Sequence, residues 1–189
     1  MSLAAPFAGP FPALQDGQLQ LRALTASDAD ALYRQFGDEE VTRFYDLETF
    51  TDPAQGERLV TSWLQRYERQ FGIRWAICRR STPDELLGTC GYNLWIQGSA
   101  RAVLGFDLAR PHWRQGIMTR ALGLVLEYGF TTMGLNRVEA VVFRDNIASC
   151  GLLTKLGFTR EGLLREYENL HGDFADMYMF SLLRRDLRK

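Results

Sequence analysis

Residue types that metal and nucleophile sites often use are scarce in this chain of 189 residues. It has 2 histidines and 3 cysteines, and Cys78, Cys90 and Cys150 lie far apart without metal-ligand spacing. A histidine-based metal site or a serine–histidine–aspartate triad is therefore poorly supplied. Free thiols in a reducing cytosol are the simplest interpretation, so we expect no metal and a cytoplasmic location.

The chain also lacks long apolar runs and a charge excess. No run reaches the ~20 residues that span a bilayer, and the formal net charge is −1. We therefore expect neither a membrane nor a nucleic acid as a partner. What is present, 46% apolar and 24% charged residues, is typical of a globular protein. The length suits one domain and is short for two.

The first 18 residues differ in character from the rest. They have no basic segment, and Pro6, Pro10 and Pro12 would break an apolar helical core, so we do not expect a signal peptide. We predict a flexible arm over residues 1–18 and a single domain over residues 19–189.

From residue 19 onward, hydrophobic spacing predicts elements in the order β-α-α-β-β-β-α-β-α-β-β. The predicted helices cover residues 25–37, 53–72, 116–133 and 146–156. The predicted strands cover residues 19–24, 74–79, 86–95, 102–108, 137–143, 158–170 and 174–183. Short turns favour antiparallel pairing, whereas the connection from residue 108 to residue 137 must be a parallel crossover. The fold class is α/β (α+β), a mixed and mostly antiparallel sheet of about seven strands with four helices.

The turn between an apolar strand and the long third helix has the strongest chemical signature. Its sequence is Arg110-Pro-His-Trp-Arg-Gln-Gly116-Ile-Met-Thr119. A helix start directs unpaired N–H groups and the positive end of its dipole outward, and Gly116 allows close backbone approach, which suits a phosphate. No Gly-Lys-Ser/Thr follows, so this is not a nucleoside-triphosphate loop. A plain turn, in which the glycine relieves strain, is the alternative.

A second segment, residues 145–158, has both a structural and a functional interpretation. Asn146 suits a helix cap, with Ser149 on the first turn, and Gly157 suits a left-handed helix end. Each residue can therefore be explained by local structure alone.

Together these segments resemble motifs A and B of the GNAT acetyltransferases. Residues 113–121 resemble the form Trp-Gly-Lys-Gly-Ile-Ala-Thr-Glu-Ala, with differences at Arg114, Met118 and Arg120. Asn146-x-x-Ser149 and the later Lys155-Leu-Gly-Phe158 resemble the second motif. The opening at residues 19–28 and the closing hairpin at residues 161–176 resemble the RimJ/RimL ribosomal-protein branch, so the likeness covers residues 19–183.

The resemblance implies a GNAT-type acyl-CoA N-acyltransferase fold, with acetyl-CoA as the acyl donor and no metal. It implies that the end of the fourth predicted strand, residues 104–108, splays from its neighbour and hydrogen-bonds the pantetheine arm of acetyl-CoA like an added strand. It also implies that backbone amides of residues 114–119 bind the pyrophosphate, with Asn146 ordering cofactor and backbone. Ser149 is implied to protonate the leaving thiolate, and Glu139 is a candidate base, with a surface pair to Arg137 as the alternative. The predicted cofactor-binding residues are Phe106, Asp107, Leu108, Arg114, Gln115, Gly116, Met118, Thr119 and Asn146.

The acceptor is implied to be a primary amine, attacked directly without an acyl-enzyme. The branch favours a protein or peptide N-terminal α-amine, such as a ribosomal-protein N-terminus. A small amine (an amino acid, polyamine or aminoglycoside) and a non-catalytic acyl-CoA-binding module are the alternatives. Acceptor contacts are expected from the acidic residues 38–50, unless these form only a solvated loop, and from the hairpin around His171. Many folds of this family pair, so a homodimer is a further expectation that the sequence does not decide.

Overall fold

The computed structural model describes residues 9–45, 47–170 and 172–188, and within them the chain forms one sheet of eight strands. The spatial order is β1-β2-β3-β4-β5-β6-β8-β7. The strands are β1 Leu14–Gln15, β2 Leu19–Arg22, β3 Ile73–Arg79, β4 Gly88–Ile96, β5 Arg101–Leu108, β6 Arg137–Phe143, β7 Thr159–Leu170 and β8 Asp173–Leu183. Every pair is antiparallel except β5 with β6, as the predicted crossover requires.

Five α-helices cover the sheet in the described part of the chain. They are α1 Ala29–Phe36, α2 Glu39–Thr42, α3 Ala54–Glu68, α4 Ile117–Thr131 and α5 Ile147–Lys155. Four of them match predicted helices. The additional one, α2, is a single turn whose start is capped by the Asp38 side chain, which accepts a hydrogen bond from the Glu40 N–H. A single turn is too short to produce a helical repeat of apolar residues.

The sheet separates two apolar clusters because side chains alternate along each strand. Ile73, Trp75 and Ile77 of β3 lie in the cluster that includes α4 and α5. Ala76 and Cys78, on the opposite face of β3, lie in the cluster that includes α1 and α3. The molecule therefore has an α4/α5 face and an α1/α3 face.

The N-terminal segment differs from the predicted flexible arm. Over the described residues from 9 onward, Phe11 packs on Tyr67 and Trp75, and the Trp75 indole donates a hydrogen bond to the Pro12 carbonyl. Leu14 and Gln15 form β1 and raise the strand count from the predicted seven to eight. Contacts with residues about 60 positions away order this segment, and such contacts leave no local pattern.

β5 and β6 pair only at their first residues and then diverge. The parallel register joins residues 101–103 to residues 137–139, and β5 continues to Leu108 without a partner on that side. The register of β4 on β5 shifts between Tyr92 and Leu94, opposite the point where the parallel pairing ends. A bulge bends its strand, so its position is consistent with β5 turning away from β6.

An ion-pair cluster lies where the two strands still pair. Glu139 of β6 accepts hydrogen bonds from Arg101 of β5 and Arg137 of β6, each at 2.7 Å. Arg137 also binds Glu161 of β7 through two hydrogen bonds of 2.8 and 2.5 Å, and Ser181 of β8 donates to Glu161 at 2.7 Å. The cluster therefore joins four strands at the closed end of the divergence.

This cluster makes stability depend on pH. Hydrogen bonds from Arg137, and then from Ser181, hold the pKa of Glu161 at about 2, below its ordinary value of 4.5. A carboxyl group whose pKa is lower in the folded state than in the unfolded state stabilises the fold at pH values above its ordinary pKa. This stabilisation is lost as the pH falls toward the folded-state pKa. We expect Glu161→Gln to lower the free energy of unfolding at pH 7 by about 1 kcal/mol or less, because the pair is partly exposed. The difference from wild type should shrink between pH 5 and pH 3 in urea titrations, and a difference independent of pH would contradict it.

Candidate active site

A cleft of about 880 Å³ opens where β5 and β6 diverge. It passes between the two faces of the sheet: α4 and α5 line one part, and residues 40–45 with residues 167–168 of β7 line another. Ten of the eleven predicted site residues line it, namely Phe106, Asp107, Leu108, Arg114, Gln115, Gly116, Met118, Thr119, Asn146 and Ser149.

The free edge of β5 supplies backbone hydrogen-bonding groups to the cleft. Successive residues of a strand direct their N–H and C=O groups to opposite edges. The Ala100 carbonyl accepts from residues 136 and 137 on the β6 side, whereas the Ala109 N–H donates to Leu87 on the β4 side. The backbone groups of residues 104, 106 and 108 therefore point into the gap left by β6. Phe106 and Leu108 lie where the resemblance implied an added strand.

Asp107, a predicted cofactor-binding residue, makes its hydrogen bonds inside the protein. By the same alternation its backbone faces β4, and its buried carboxylate accepts hydrogen bonds from Arg74, from the Gln35 amide at 2.5 Å and from the Thr89 hydroxyl at 2.7 Å. The carboxylate lies on the α1/α3 face and offers no group to the free edge of β5. Strand parity directs the backbone groups of its two neighbours to the free edge of β5, so the cofactor contact of Asp107 stays a prediction.

The turn before α4 holds an open set of backbone donors. Gly116 has φ +76° and Arg114 has φ +59°, both left-handed, and a Cβ added to Gly116 would meet nothing within 4 Å. The first hydrogen bond into the helix is from the Arg120 N–H to the Gly116 carbonyl. The N–H groups of residues 117–119 accordingly have no acceptor within the described ranges, as expected for a helix start.

Side chains hold this turn in shape. The Trp113 indole donates to the Leu108 carbonyl at 2.6 Å and ties the turn to the end of β5. Gln115 donates to the Pro111 carbonyl and accepts from Arg79. The positive charge of Arg120, in the first turn of α4, is partly neutralised, because its guanidinium pairs with Asp16 at 2.9 Å.

These features fit the chemistry of acetyl-CoA. The donors of residues 117–119 and the dipole of α4, a helix of 15 residues, suit the pyrophosphate. The open space beyond Gly116 leaves room for it, and the unpaired edge of β5 can hydrogen-bond the amide-containing pantetheine arm. Acetyl-CoA supplies the activated acyl group as a thioester.

The start of α5 has the predicted arrangement. The Asn146 side chain accepts from the Ser149 N–H at 3.1 Å and caps the helix, which confirms the structural interpretation of Asn146. The Ser149 hydroxyl makes no hydrogen bond to any residue that the structure describes, although the side chain lines the cleft. The capping role therefore uses the backbone of Ser149 and leaves its hydroxyl available for chemistry.

Glu139 is the predicted site residue that does not reach the cleft. It is 8% exposed and lies at the closed end of the divergence, where two arginines occupy its carboxylate. Both carboxylate oxygens of Glu139 are engaged by guanidinium groups, and Glu139 does not line the cleft. The candidate general-base role is therefore not supported, and the alternative pairing with Arg137 is confirmed, with Arg101 as a second partner.

Several residues of the site were not predicted individually, although Tyr45, Tyr167 and Glu168 lie in the two segments expected to contact the acceptor. Tyr45, Asn93, Tyr167 and Glu168 line the cleft on the side away from α5. Buried Arg74 lies behind them, with its guanidinium 4.8 Å from the Trp63 ring centre. A charged residue in the middle of an apolar strand, Ile73-Arg74-Trp75, was the available signal for Arg74. The others belong to segments without a motif. His171 and Asp46, from segments predicted to contact the acceptor, lie outside the described residues.

The part of the chain that the structure describes does not support a cysteine nucleophile in the cleft, a metal site or a membrane-spanning helix. Cys78, Cys90 and Cys150 are free thiols, and none lines the cleft. Within residues 9–45, 47–170 and 172–188, no group of three or more histidine, cysteine or acidic side chains is placed to hold a metal ion. Nor does any helix there have the length and apolarity to cross a bilayer.

Comparison with known proteins identifies the family. Residues 18–159 match the acetyltransferase (GNAT) domain. The chain is 40% identical over 174 residues to the uncharacterised N-acetyltransferase YoaA of Bacillus subtilis (strain 168), covering 92% of this chain and 98% of that protein. It is 29% identical over 107 residues, 55% of each protein, to the [ribosomal protein uS5]-alanine N-acetyltransferase of Escherichia coli (strain K12).

A solved structure agrees at the level of the fold. RimL, the ribosomal L7/L12 alpha-N-protein acetyltransferase in complex with coenzyme A, superposes with a TM-score of 0.83 at 22% identity, covering 91% of this chain and 98% of that one. With the free β5 edge and the open start of α4, the family match is conclusive. The chain belongs to the GNAT acetyltransferase family and is an acetyl-CoA-dependent N-acetyltransferase.

Proposed function

We propose that this enzyme acetylates the N-terminal α-amine of a protein or peptide. The observation that carries the proposal is the cleft, whose lining extends from α4 and α5 to Tyr45 and to Tyr167 and Glu168 of β7. Glu40 and Glu168 line this part of the cleft together with Arg43, and the two carboxylates can attract a protonated amine. The relatives that act on ribosomal-protein N-termini support the same acceptor class.

The proposed reaction is direct transfer. The amine lone pair attacks the thioester carbon, a C–N bond forms, and the C–S bond breaks to release CoA thiolate. Backbone N–H groups at the free edge of β5, around Phe106 and Leu108, stabilise the negative charge that develops on the carbonyl oxygen. The absence of a cysteine along the cleft, within the described residues, supports a route without an acyl-enzyme.

The reaction also requires two proton transfers, one from the acceptor amine and one to the departing thiolate. An α-amine with a pKa near ~8 is about a tenth unprotonated at neutral pH, so water can remove its proton, whereas a lysine amine near ~10.4 is below a thousandth. The Ser149 hydroxyl, unpaired within the described structure, donates a proton to the departing thiolate and recovers one from solvent. Glu139, the predicted base, is paired with two arginines outside the cleft. An α-amine is therefore the more suitable acceptor, because it does not need a strong base.

The acceptor class is tested with matched substrates. Purified enzyme is given acetyl-CoA with basic N-terminal peptides, the same peptides N-formylated, spermidine and kanamycin, and thiol release is followed. We expect turnover of the free peptides and loss of turnover on formylation. Turnover of the small amines alone would establish the alternative acceptor class.

The variant Ser149→Ala tests whether the Ser149 hydroxyl acts as the general acid that protonates the CoA thiolate. We expect kcat for peptide acetylation to fall about a hundredfold, at the lower end of the range for general-acid catalysis. The Kd of acetyl-CoA measured by calorimetry should stay within about twofold, because the cap at Asn146 uses the backbone N–H of residue 149. Ser149→Cys, which keeps a proton donor, is the matched control and should retain more activity than alanine. Equal kcat in wild type and the alanine variant would remove Ser149 from the mechanism.

A further inference from the structure

The bulge in β4 places one polar side chain over the reactive part of β5. Asn93 is the residue skipped by the register between Tyr92 and Leu94, and its side chain lies across Gly105. A Cβ added to Gly105 would meet the Asn93 Nδ2 first, then the Asn93 Oδ1 at 2.6 Å and an Arg74 nitrogen at 2.7 Å. Any larger residue at position 105 would displace both groups, so the glycine and the bulge together create this arrangement.

Arg74 determines which way the Asn93 amide faces. Its Nη1 donates to the Asn93 Oδ1 at 2.8 Å, and because a guanidinium has only donors, the amide oxygen must face it. Arg74 is itself immobilised, since its Nε donates to the Thr89 hydroxyl at 2.8 Å and another nitrogen pairs with Asp107. The orientation of the Asn93 amide is therefore fixed, and its Nδ2 group lies over Gly105.

The Nδ2 group is free to donate to a ligand. The half-buried Asn93 lines the cleft, and its amino group donates to no residue of the described chain. Asn93 contacts the α1/α3 face, with Arg74 and Gly105, whereas the donors at the start of α4 belong to the opposite face. The N–H groups of Asn93 thus lie over Gly105, the residue before Phe106 in β5, on the face of the sheet opposite the proposed pyrophosphate site.

We propose that the Asn93 Nδ2 group donates a hydrogen bond to a carbonyl oxygen of the acceptor. The enzyme then selects amines that carry a carbonyl on the neighbouring carbon, as every peptide N-terminus does, over plain alkyl amines. Asn93 is a specificity-determining residue and Arg74 is the positioning residue that orients it. This inference rests on the proposed function and names the acceptor feature that the cleft recognises.

The test is a cycle of two acceptors and two enzymes. The acceptors are L-alaninamide and isopropylamine; the first has a carboxamide, and hence a carbonyl, where the second has a methyl group. The enzymes are wild type and Asn93→Ala. The ratio of kcat/KM values for the two acceptors is compared between the enzymes, so that the different pKa values of the two amines cancel. Asn93→Asp, which removes the donor and keeps the shape of the side chain, is measured in parallel.

We expect the ratio in favour of L-alaninamide to fall about tenfold in Asn93→Ala, the usual net value of one hydrogen bond. The change should appear in KM for L-alaninamide, while the Kd of acetyl-CoA stays near wild type. If Asn93→Ala does not fold, the same fall in the ratio is expected of Asn93→Asp.

Two outcomes overturn the inference in different ways. An unchanged ratio in a folded variant, with wild type still acetylating peptides, rejects the role of Asn93 and leaves the proposed function standing. Wild type that acetylates isopropylamine and neither L-alaninamide nor peptides rejects the inference and the proposed function together.

Discussion

Gly116→Asp should raise the Kd of acetyl-CoA by about a hundredfold. Position 116 has a left-handed backbone that Asp and Asn tolerate better than other side chains. The side chain would project into open space beside the free N–H groups at the start of α4. A carboxylate there faces the pyrophosphate, and two like charges about 4 Å apart repel by roughly 4 kcal/mol near a protein surface, less with screening by salt. Calorimetry with acetyl-CoA measures the change.

Two control variants separate charge from backbone strain. Gly116→Asn has the same shape without the charge, and we expect its Kd within about fivefold of wild type. Gly123→Asp adds the same charge at an exposed glycine of α4 that also has open surroundings, and we expect its Kd within about twofold. Weakening that falls as salt rises would identify repulsion as the cause. Equal Kd values for the Asp and Asn variants at position 116 would show that phosphate does not bind here.

Asp107→Asn should lower the free energy of unfolding by about 3–5 kcal/mol. Arg74 and Asp107 are 4% and 6% exposed, and the carboxylate receives five donors, from Arg74, Gln35, Tyr45 and both groups of Thr89. An amide at position 107 leaves the Arg74 charge buried without a counter-charge, which is the costly way to break a buried pair. Urea denaturation at pH 7 measures the loss.

A double variant tests whether the cost comes from the unpaired charge. Arg74→Met with Asp107→Leu removes both charges, and we expect it to lose less stability than the two single variants added together. Arg58→Met, in an exposed pair of 3.7 Å with Asp52, is the surface control and should cost about 0.5 kcal/mol or less. Strict additivity of the two buried substitutions would show that Arg74 and Asp107 do not stabilise each other.

Most of the fold could be predicted because its signals are local. The strand β6 and the helices α4 and α5 appear within a few residues of their predicted bounds, since apolar periodicity, Gly116 and the cap Asn146 act over one or two turns. The predicted pyrophosphate-binding residues 114–119 were identified for the same reason, because a strand followed by a glycine and a helix start is a contiguous pattern. β1 and α2 escaped prediction because each is too short to show a repeat.

Site residues that depend on distant partners were predicted less well. Nothing local distinguishes Glu139 as a base from Glu139 as an ion-pair partner, because Arg101 lies 38 residues earlier in the chain. The parity of β5, which turns Asp107 away from the cofactor edge, depends on its pairing with β4. Asn93 becomes a candidate acceptor contact only through a bulge and through Arg74, which lies 19 residues away.

The amino-acid sequence by itself determined the order of the elements, the parallel crossover, the phosphate-type turn and the acetyltransferase family, because these depend on neighbouring residues. Only the tertiary structure decided which charges face the cleft and which are neutralised. The physical reason is that the direction and pairing of a side chain depend on strand register, and register joins residues that the sequence keeps apart. The residues that bind the acyl donor could therefore be predicted one by one from the sequence. For the acceptor the sequence indicated two segments, and only the structure showed which of their side chains line the cleft.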